Sequence, residues 1–322
     1  MRFVTITSTH DLQETTPAAG LTGQGLAGLT DGDTPDAHWA LLDGRTRLAQ
    51  CSLWWRRTPA VDGARSGLIG HYDADNADAA QALLGHACAE LRRAGCTTAV
   101  GPMDGSTWQP YRFITEAGTH PAFLMEPAHP PAWTDHWLAA GFRPMAHYRS
   151  TLIRIPDDES DPGTIPEGIR VRPLDLQAFT QELDALHPLC MAAFRENLLF
   201  TPLSASAFKA LYQPIEPRID PRLVLIAEQH GRPCGVVFAL PDYLNPDRDT
   251  IIVKTLAVHP DYHGQGLGGW LTAAVHRRAR ALGYRHAIHA LMRDDNPSVR
   301  IGRHHARPLR RYALLSRNLE AQ

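Results

Sequence analysis

The sequence carries no excess of one charge: 32 basic residues stand against 34 acidic ones, for a net charge of −2 at pH 7, and no run of lysines or arginines stands out. That excludes a broad electrostatic footprint for nucleic acid or an anionic membrane, so any bound anion must be held locally. Long apolar runs are missing as well. The opening MRFVTITSTH has no signal-peptide core, and stretches such as Leu223 to Ala227 are far too short to span a bilayer. The expected location is the cytoplasm, with neither membrane nor nucleic acid as a partner. Cysteine is scarce and unpaired. Cys51, Cys88, Cys96, Cys190 and Cys234 are odd in number and scattered, without a C-x-x-C pair, which predicts reduced, buried thiols. The pairs His259/His263 and His286/His289 make no complete ligand set, so no metal site is expected.

What is present points to two folded units. A chain of 322 residues, 43% hydrophobic and 20% charged, is globular and long enough for two domains. Pro156 to Ile169, PDDESDPGTIPEGI, mixes proline, glycine and acid without periodicity. It predicts a joint near Gly163, with domains over 1–155 and 169–322 and a linker over 156–168. In the second half, Val171 to Asp175 reads as a strand, Leu176 to Asn197 as a helix, and Ser204 as the N-cap of another helix. RLVLIAEQ and CGVVFALP flank a turn at His230-Gly231 and predict an antiparallel hairpin. Thr250 to Val258 reads as a further strand. The stripe Leu267, Leu271, Ala274, Val275 predicts a helix ending before Gly283, and HAIHALM restarts a strand.

Between that strand and helix lies KTLAVHPDYHGQGLGGW, Lys254 to Trp270. Glycines let backbone approach a ligand without a Cβ in the way, and a helix N-terminus adds unpaired N–H groups and about half a positive charge. Such a junction suits a phosphate. It is neither a Walker loop, lacking Gly-Lys-Ser/Thr, nor a G-x-G-x-x-G turn, since its glycines fall at Gly264, Gly266, Gly268 and Gly269. LAVHPDYHGQGLG resembles the pyrophosphate loop of the GNAT superfamily of acyl-CoA N-acyltransferases, R/Q-x-x-G-x-G/A after a strand, with His263 where Arg or Gln is usual. The order of helices, hairpin, strand, loop helix and strand, followed by Asp295-Asn296-Pro297-Ser298, supports the resemblance over about 150 residues. It implies an α/β (α+β) fold of mixed, mostly antiparallel sheets flanked by helices, and CoA or acetyl-CoA as cofactor. The implied cofactor contacts are Leu256, Ala257 and Val258 for pantetheine, His263, Gly264, Gln265, Gly266, Leu267 and Gly268 for pyrophosphate, and Asn296.

The first half repeats the second. Laying His259 on His71 without a gap also superposes Leu271 on Leu83, Arg280 on Arg92 and Gly283 on Gly95, and WALLDGRTRLAQCSLWW resembles the later hairpin. The positions of Gly264, Gly266 and Gly268 are then Asn76, Asp78 and Ala80, with Asp73 and Asp75 nearby. A loop of that kind repels pyrophosphate, so the first copy is expected to be degenerate and cofactor-free. Each copy keeps a different part: WLAAGFRPMAHYRSTLIRI of the first resembles the closing strands of GNAT domains, whereas VRIGRHHARPLRRYALL of the second lacks the Gly-Phe.

Catalytic residues are less legible. The Tyr that follows the family's Asn by about seven residues falls on Arg303, leaving Tyr312, or His304 or His305, as candidate acid and Asp242 as candidate base. The excursion Gly101 to Trp133 is longer than a scaffold turn requires, and Trp108, Tyr111, Arg112 and Glu126 are its candidate substrate contacts. Three functions stay open: an acyl-CoA-dependent, expectedly acetyl-CoA-dependent, N-acyltransferase of a small or peptidic amine; a non-catalytic CoA-binding sensor or partner-binding protein; and a mycothiol-synthase-like or aminoacyl-transferring tandem enzyme.

Overall fold

The structure, a computed structural model, describes residues 1–7, 11, 14–22, 34–156, 164–296, 299 and 306–320. Gly163, Arg303, His304 and His305 lie outside the described residues. The first half supplies β1 (Arg2–Thr5), β2 (Thr16–Pro17), the hairpin β3 (Ala37–Asp43) and β4 (Thr46–Trp54), and β5 (Ser66–Ala74). It continues with α1 (Ala77–Arg93), β6 (Thr98–Gly101), β7 (Phe113–Glu116), α2 (Ala132–Ala139) and β8 (Arg143–Arg154). The second half supplies β9 (Ile169–Pro173), α3 (Phe179–Phe194), α4 (Ala205–Tyr212), the hairpin β10 (Val224–Gln229) and β11 (Arg232–Pro241), and β12 (Thr250–Val258). After it come α5 (Leu267–Ala281), β13 (His286–Arg293) and β14 (Ala306–Asn318).

Local signals explain most of these bounds. The hydroxyl of Ser204 accepts from Ala207 N–H and opens α4, and Gly283 follows α5 with φ of 92°. The helix expected over 176–197 is shorter. The Asp175 carboxylate accepts from Gln177 N–H and starts a separate 3₁₀ turn over Leu176–Ala178; at the other end Asn197 N–H bonds Phe194 C=O in a tighter turn that ends α3.

Among the described residues fourteen strands join one sheet, twelve of them in the order β1-β3-β4-β5-β6-β14-β8-β13-β12-β11-β10-β9, with β2 paired to β4 and β7 to β14 off that path. Pairing is antiparallel except for β5 with β6, β12 with β13 and the short β2 with β4. The middle of the sheet is interlocked. The last of the described strands, β14, lies between β6 and β8 of the first half, and β8 lies against β13 of the second. Each half thus closes its partner's sheet, which is why each sequence copy looks incomplete at its end.

Strand pairing also refines the repeat. Ser66 pairs with Thr98, and Thr250 pairs with His286, so the second pair follows the first by 184 residues on one strand and 188 on the next. The gap-free superposition holds for helix and following strand, with Gly95 and Gly283 both at positive φ, but the turn before the helix is four residues shorter in the first copy. His71 accordingly sits within β5, whereas His259 caps a 3₁₀ turn after β12.

Candidate active site

Two backbone features of β12 open a groove. Phe238 pairs with Thr255 and Ala239 with Val253, leaving Lys254 as the extra residue of a bulge against β11. On the other side, parallel pairing of β12 with β13 stops at Val253 and His289. Beyond that point the two strands have no ladder between them, and the edge of β12 over Leu256, Ala257 and Val258 faces the gap. Leu256 is half-buried and Ala257 is buried.

At the far end of this edge the chain turns through Pro260–Tyr262 into α5. Gly264 and Gly266 adopt φ of 77° and 79°, and a Cβ at Gly264, Gly266 or Gly269 would meet nothing within 4 Å. Gly266 caps α5 with no side-chain acceptor, so the first-turn amides stay unpaired and face open space. His263, where the resemblance departs, donates from Nε2 to Val258 C=O at 3.0 Å, and Gln265 Nε2 donates to Asp261 C=O at 3.0 Å. Both side chains brace the turn from within. Leu267 is 1% exposed and anchors the helix start in the core. An anionic group fits this cradle on the observed geometry. In the first copy the matching helix is closed: Asn76 Oδ1 accepts from Ala79 N–H, and Asp78 stands in the first turn.

A cavity of about 340 Å³ adjoins the gap. Lys254, Thr255, Leu256 and Asn296 line it from the second half, and Trp108, Tyr111, Arg112 and Tyr148 from the first. The excursion from Gly101 to Trp133 therefore reaches the cavity. Trp108 donates from Nε1 to Thr201 C=O at 2.8 Å and packs edge-on against Phe194 and Phe200. The Arg112 guanidinium lies 3.7 Å from the Tyr111 ring centre and 4.1 Å from that of Tyr148, and its Nη1 donates to Leu291 C=O at 2.9 Å. Burial, and then the charge of Arg112, push the Lys254 ammonium down to about 8.

The other candidates lie elsewhere. Tyr312 is 0% exposed on β14; its hydroxyl bonds Glu126 and, at 3.0 Å, Ser150, and burial followed by Glu126 pushes it well above the ordinary tyrosine range. Glu126 is sealed against Arg310 rather than facing the cavity. Asp242 is 2% exposed, with Oδ1 accepting from the N–H groups of Leu124 and Leu244 at 3.1 and 3.2 Å. These three expectations are corrected on access, since each side chain is spent on a structural bond. Tyr312→Phe is therefore expected to destabilise the fold by about 1.5–3 kcal/mol, the worth of a hydrogen bond to a charged group. Any acyl transfer should keep its kcat within about twofold. Urea unfolding and steady-state kinetics on the same preparation would check both.

Sequence reasoning missed Lys254 and Tyr148 as cavity residues. For Lys254 a signal existed, a lone cation in the apolar strand TIIVKTLAV. For Tyr148 none did, because its position depends on β8 crossing into the second half's sheet.

A splayed parallel strand pair, a bulge at the splay and an uncapped glycine turn into a helix lie together along one strand, β12. Residues 184–301 match the family model described as "Acetyltransferase (GNAT) family". Over that segment the chain is similar to this family, and its fold is the tandem GNAT fold. A tandem GNAT protein of the clavulanic acid biosynthesis pathway is 15% identical, with 100% of this chain and 99% of that one covered at a TM-score of 0.54. A GCN5-related N-acetyltransferase from Anabaena variabilis is 11% identical, with 99% and 73% covered at a TM-score of 0.60. A bacterial ceramide synthase of Caulobacter vibrioides is 33% identical over 78 residues, 24% of this chain; the match spans only a fifth of that relative's length. Among the described residues no helix is long and apolar enough to cross a membrane.

Proposed function

We propose that this GNAT protein is an acyl-CoA-dependent N-acyltransferase, with acetyl-CoA as the expected donor and a small amine as acceptor. The observation that carries the reading is the continuity of three features along β12: the open glycine turn, the unladdered edge of Leu256 to Val258, and the cavity reached at Lys254. Residues 263–268 would hold the pyrophosphate through backbone N–H groups, Leu256 to Val258 the pantetheine, and Asn296, on the cavity wall, would touch the cofactor from the β13 side. An acyl-CoA bound there supplies a thioester carbon to which the amine nitrogen bonds as the C–S bond breaks, the amine's proton leaving with the thiol. Strand N–H groups left out of the ladder by the bulge at Lys254 would polarise the acyl carbonyl. No Asp or Glu lines the cavity among the described residues, so amine deprotonation is assigned to water rather than to Asp242.

In this reading residues 1–155 form a cofactor-free copy that walls the acceptor side, 156–168 link, and 169–322 carry the cofactor site. A cytoplasmic setting is in keeping with five buried, unpaired thiols. The placement of Asp242 and Tyr312 outside the cavity favours a second reading, a non-catalytic CoA-binding protein. Calorimetry is expected to return one CoA per chain. Two equivalent sites, or none, would overturn the assignment of the site to the second copy, while release of CoA with a panel of amines separates enzyme from sensor.

A further inference from the structure

Charge inside the cavity is one-sided. Its cations are Lys254, Arg112 and Arg293, and no Asp or Glu stands among the residues that line it. Arg293 is answered by Asp295. Lys254 and Arg112 have no carboxylate partner among the described residues. Arg112 is 7% exposed and incompletely satisfied: the Tyr111 and Tyr148 rings cover it, Nη1 bonds one carbonyl, and Nε is buried without a partner. A buried guanidinium with spare donors is poorly accounted for by its protein neighbours alone. Lys254 is held below the ordinary lysine range by burial first and then by the charge of Arg112, so the two cations repel each other.

On the acyltransferase reading above, we propose that an anionic group of the acceptor binds between Arg112 and Lys254, and that the acceptor is an α-amino acid with an apolar side chain. A carboxylate satisfies a guanidinium edge that ring stacking leaves as its only bonding direction, and it answers both charges at once. Lys254 is the bulged residue at the splay, so a carboxylate held there sets an amine one carbon away beside the thioester position. Trp108, Phe194, Leu198 and Phe200 give the rest of the cavity an apolar, aromatic wall for the side chain. The same anion could instead ride on the acyl donor, as in a dicarboxylic acyl-CoA.

The test titrates the CoA-loaded protein, by calorimetry, with L-phenylalanine, 3-phenylpropionate and 2-phenylethylamine. The first two keep the carboxylate and the third lacks it. Carboxylate ligands are expected to bind at least about tenfold more tightly than the amine, and Lys254→Met to erase that preference. CoA affinity in Lys254→Met should stay within about twofold, which shows the variant folded. Arg112→Gln is the second variant and should behave alike. Equal or tighter binding of 2-phenylethylamine, no binding of either carboxylate, or an unchanged preference in a folded Lys254→Met would overturn the proposal. A second arm compares succinyl-CoA with acetyl-CoA, using 2-phenylethylamine as acceptor. If succinyl-CoA is preferred, and only when Lys254 is present, the anion belongs to the donor and the proposal also falls. Loss of CoA binding in the parent protein would be a failure of the acyltransferase reading instead.

Discussion

Gly266→Asp is expected to lower CoA affinity at least about tenfold, equivalent to roughly 1.4 kcal/mol. The new carboxylate would stand where uncapped amides should meet pyrophosphate. Each charge-assisted hydrogen bond lost there is worth about 1.5–3 kcal/mol, and like-charge repulsion adds to it. Gly266 also holds φ of 79°, a conformation that L side chains rarely adopt, so Gly266→Ala should show a smaller loss from strain alone. Asp78→Gly, the matching change in the first copy, should leave CoA binding unchanged. Its turn is four residues shorter and Asn76 already caps the helix, so one glycine cannot recreate the cradle. Titration of all three variants, with circular dichroism as the control for folding, decides the matter. A folded Gly266→Asp protein that binds CoA like its parent would reduce the turn to a structural bend.

Arg310→Leu is expected to bring the largest loss of stability. Arg310 and Glu126 are buried, with side chains 6% and 1% exposed, and the Arg310 guanidinium also donates to Ala117 C=O at 2.7 Å. Removing the cation strands a carboxylate in the interior, which costs about 3–5 kcal/mol and lowers Tm by roughly 10 °C in a chain of this size. Arg310→Leu combined with Glu126→Leu should recover a large part of the loss, the signature of a coupled pair. Thermal unfolding of the parent, both single variants and the double variant measures this, and an additive double variant would contradict it.

Sequence patterning located the fold well because its strongest signals are local. The bounds of β12, the hairpin turn at His230-Gly231, the cap at Ser204 and the stop at Gly283 all follow from side chains within a few residues. The glycine turn was legible for the same reason. Asp242, Glu126 and Tyr312 were not, because a carboxylate at a strand end reads alike whether it faces a cavity or holds the amides of Leu124 and Leu244. Their burial depends on partners more than a hundred residues away, as for Glu126 with Arg310. Pairing geometry also exposed the missing four residues of the first copy, which a gap-free superposition of sequences hides. Lys254 shows the reverse case: it was visible as an odd residue in its strand, yet its meaning required the neighbouring Arg112.

The interlocked middle of the sheet bears on how the chain is made. During synthesis β6 and β8 emerge early, but β14, which bridges them, starts about 150 residues after β8 ends. At about 5–20 residues per second the first half waits on the order of ten to thirty seconds with two unpaired strand edges facing each other. Such edges can recruit the wrong strand, from this chain or from a neighbouring nascent one. The thirteen-residue strand β14 is thus made long after its neighbours and closes the central seam, so its loss should be felt throughout the sheet.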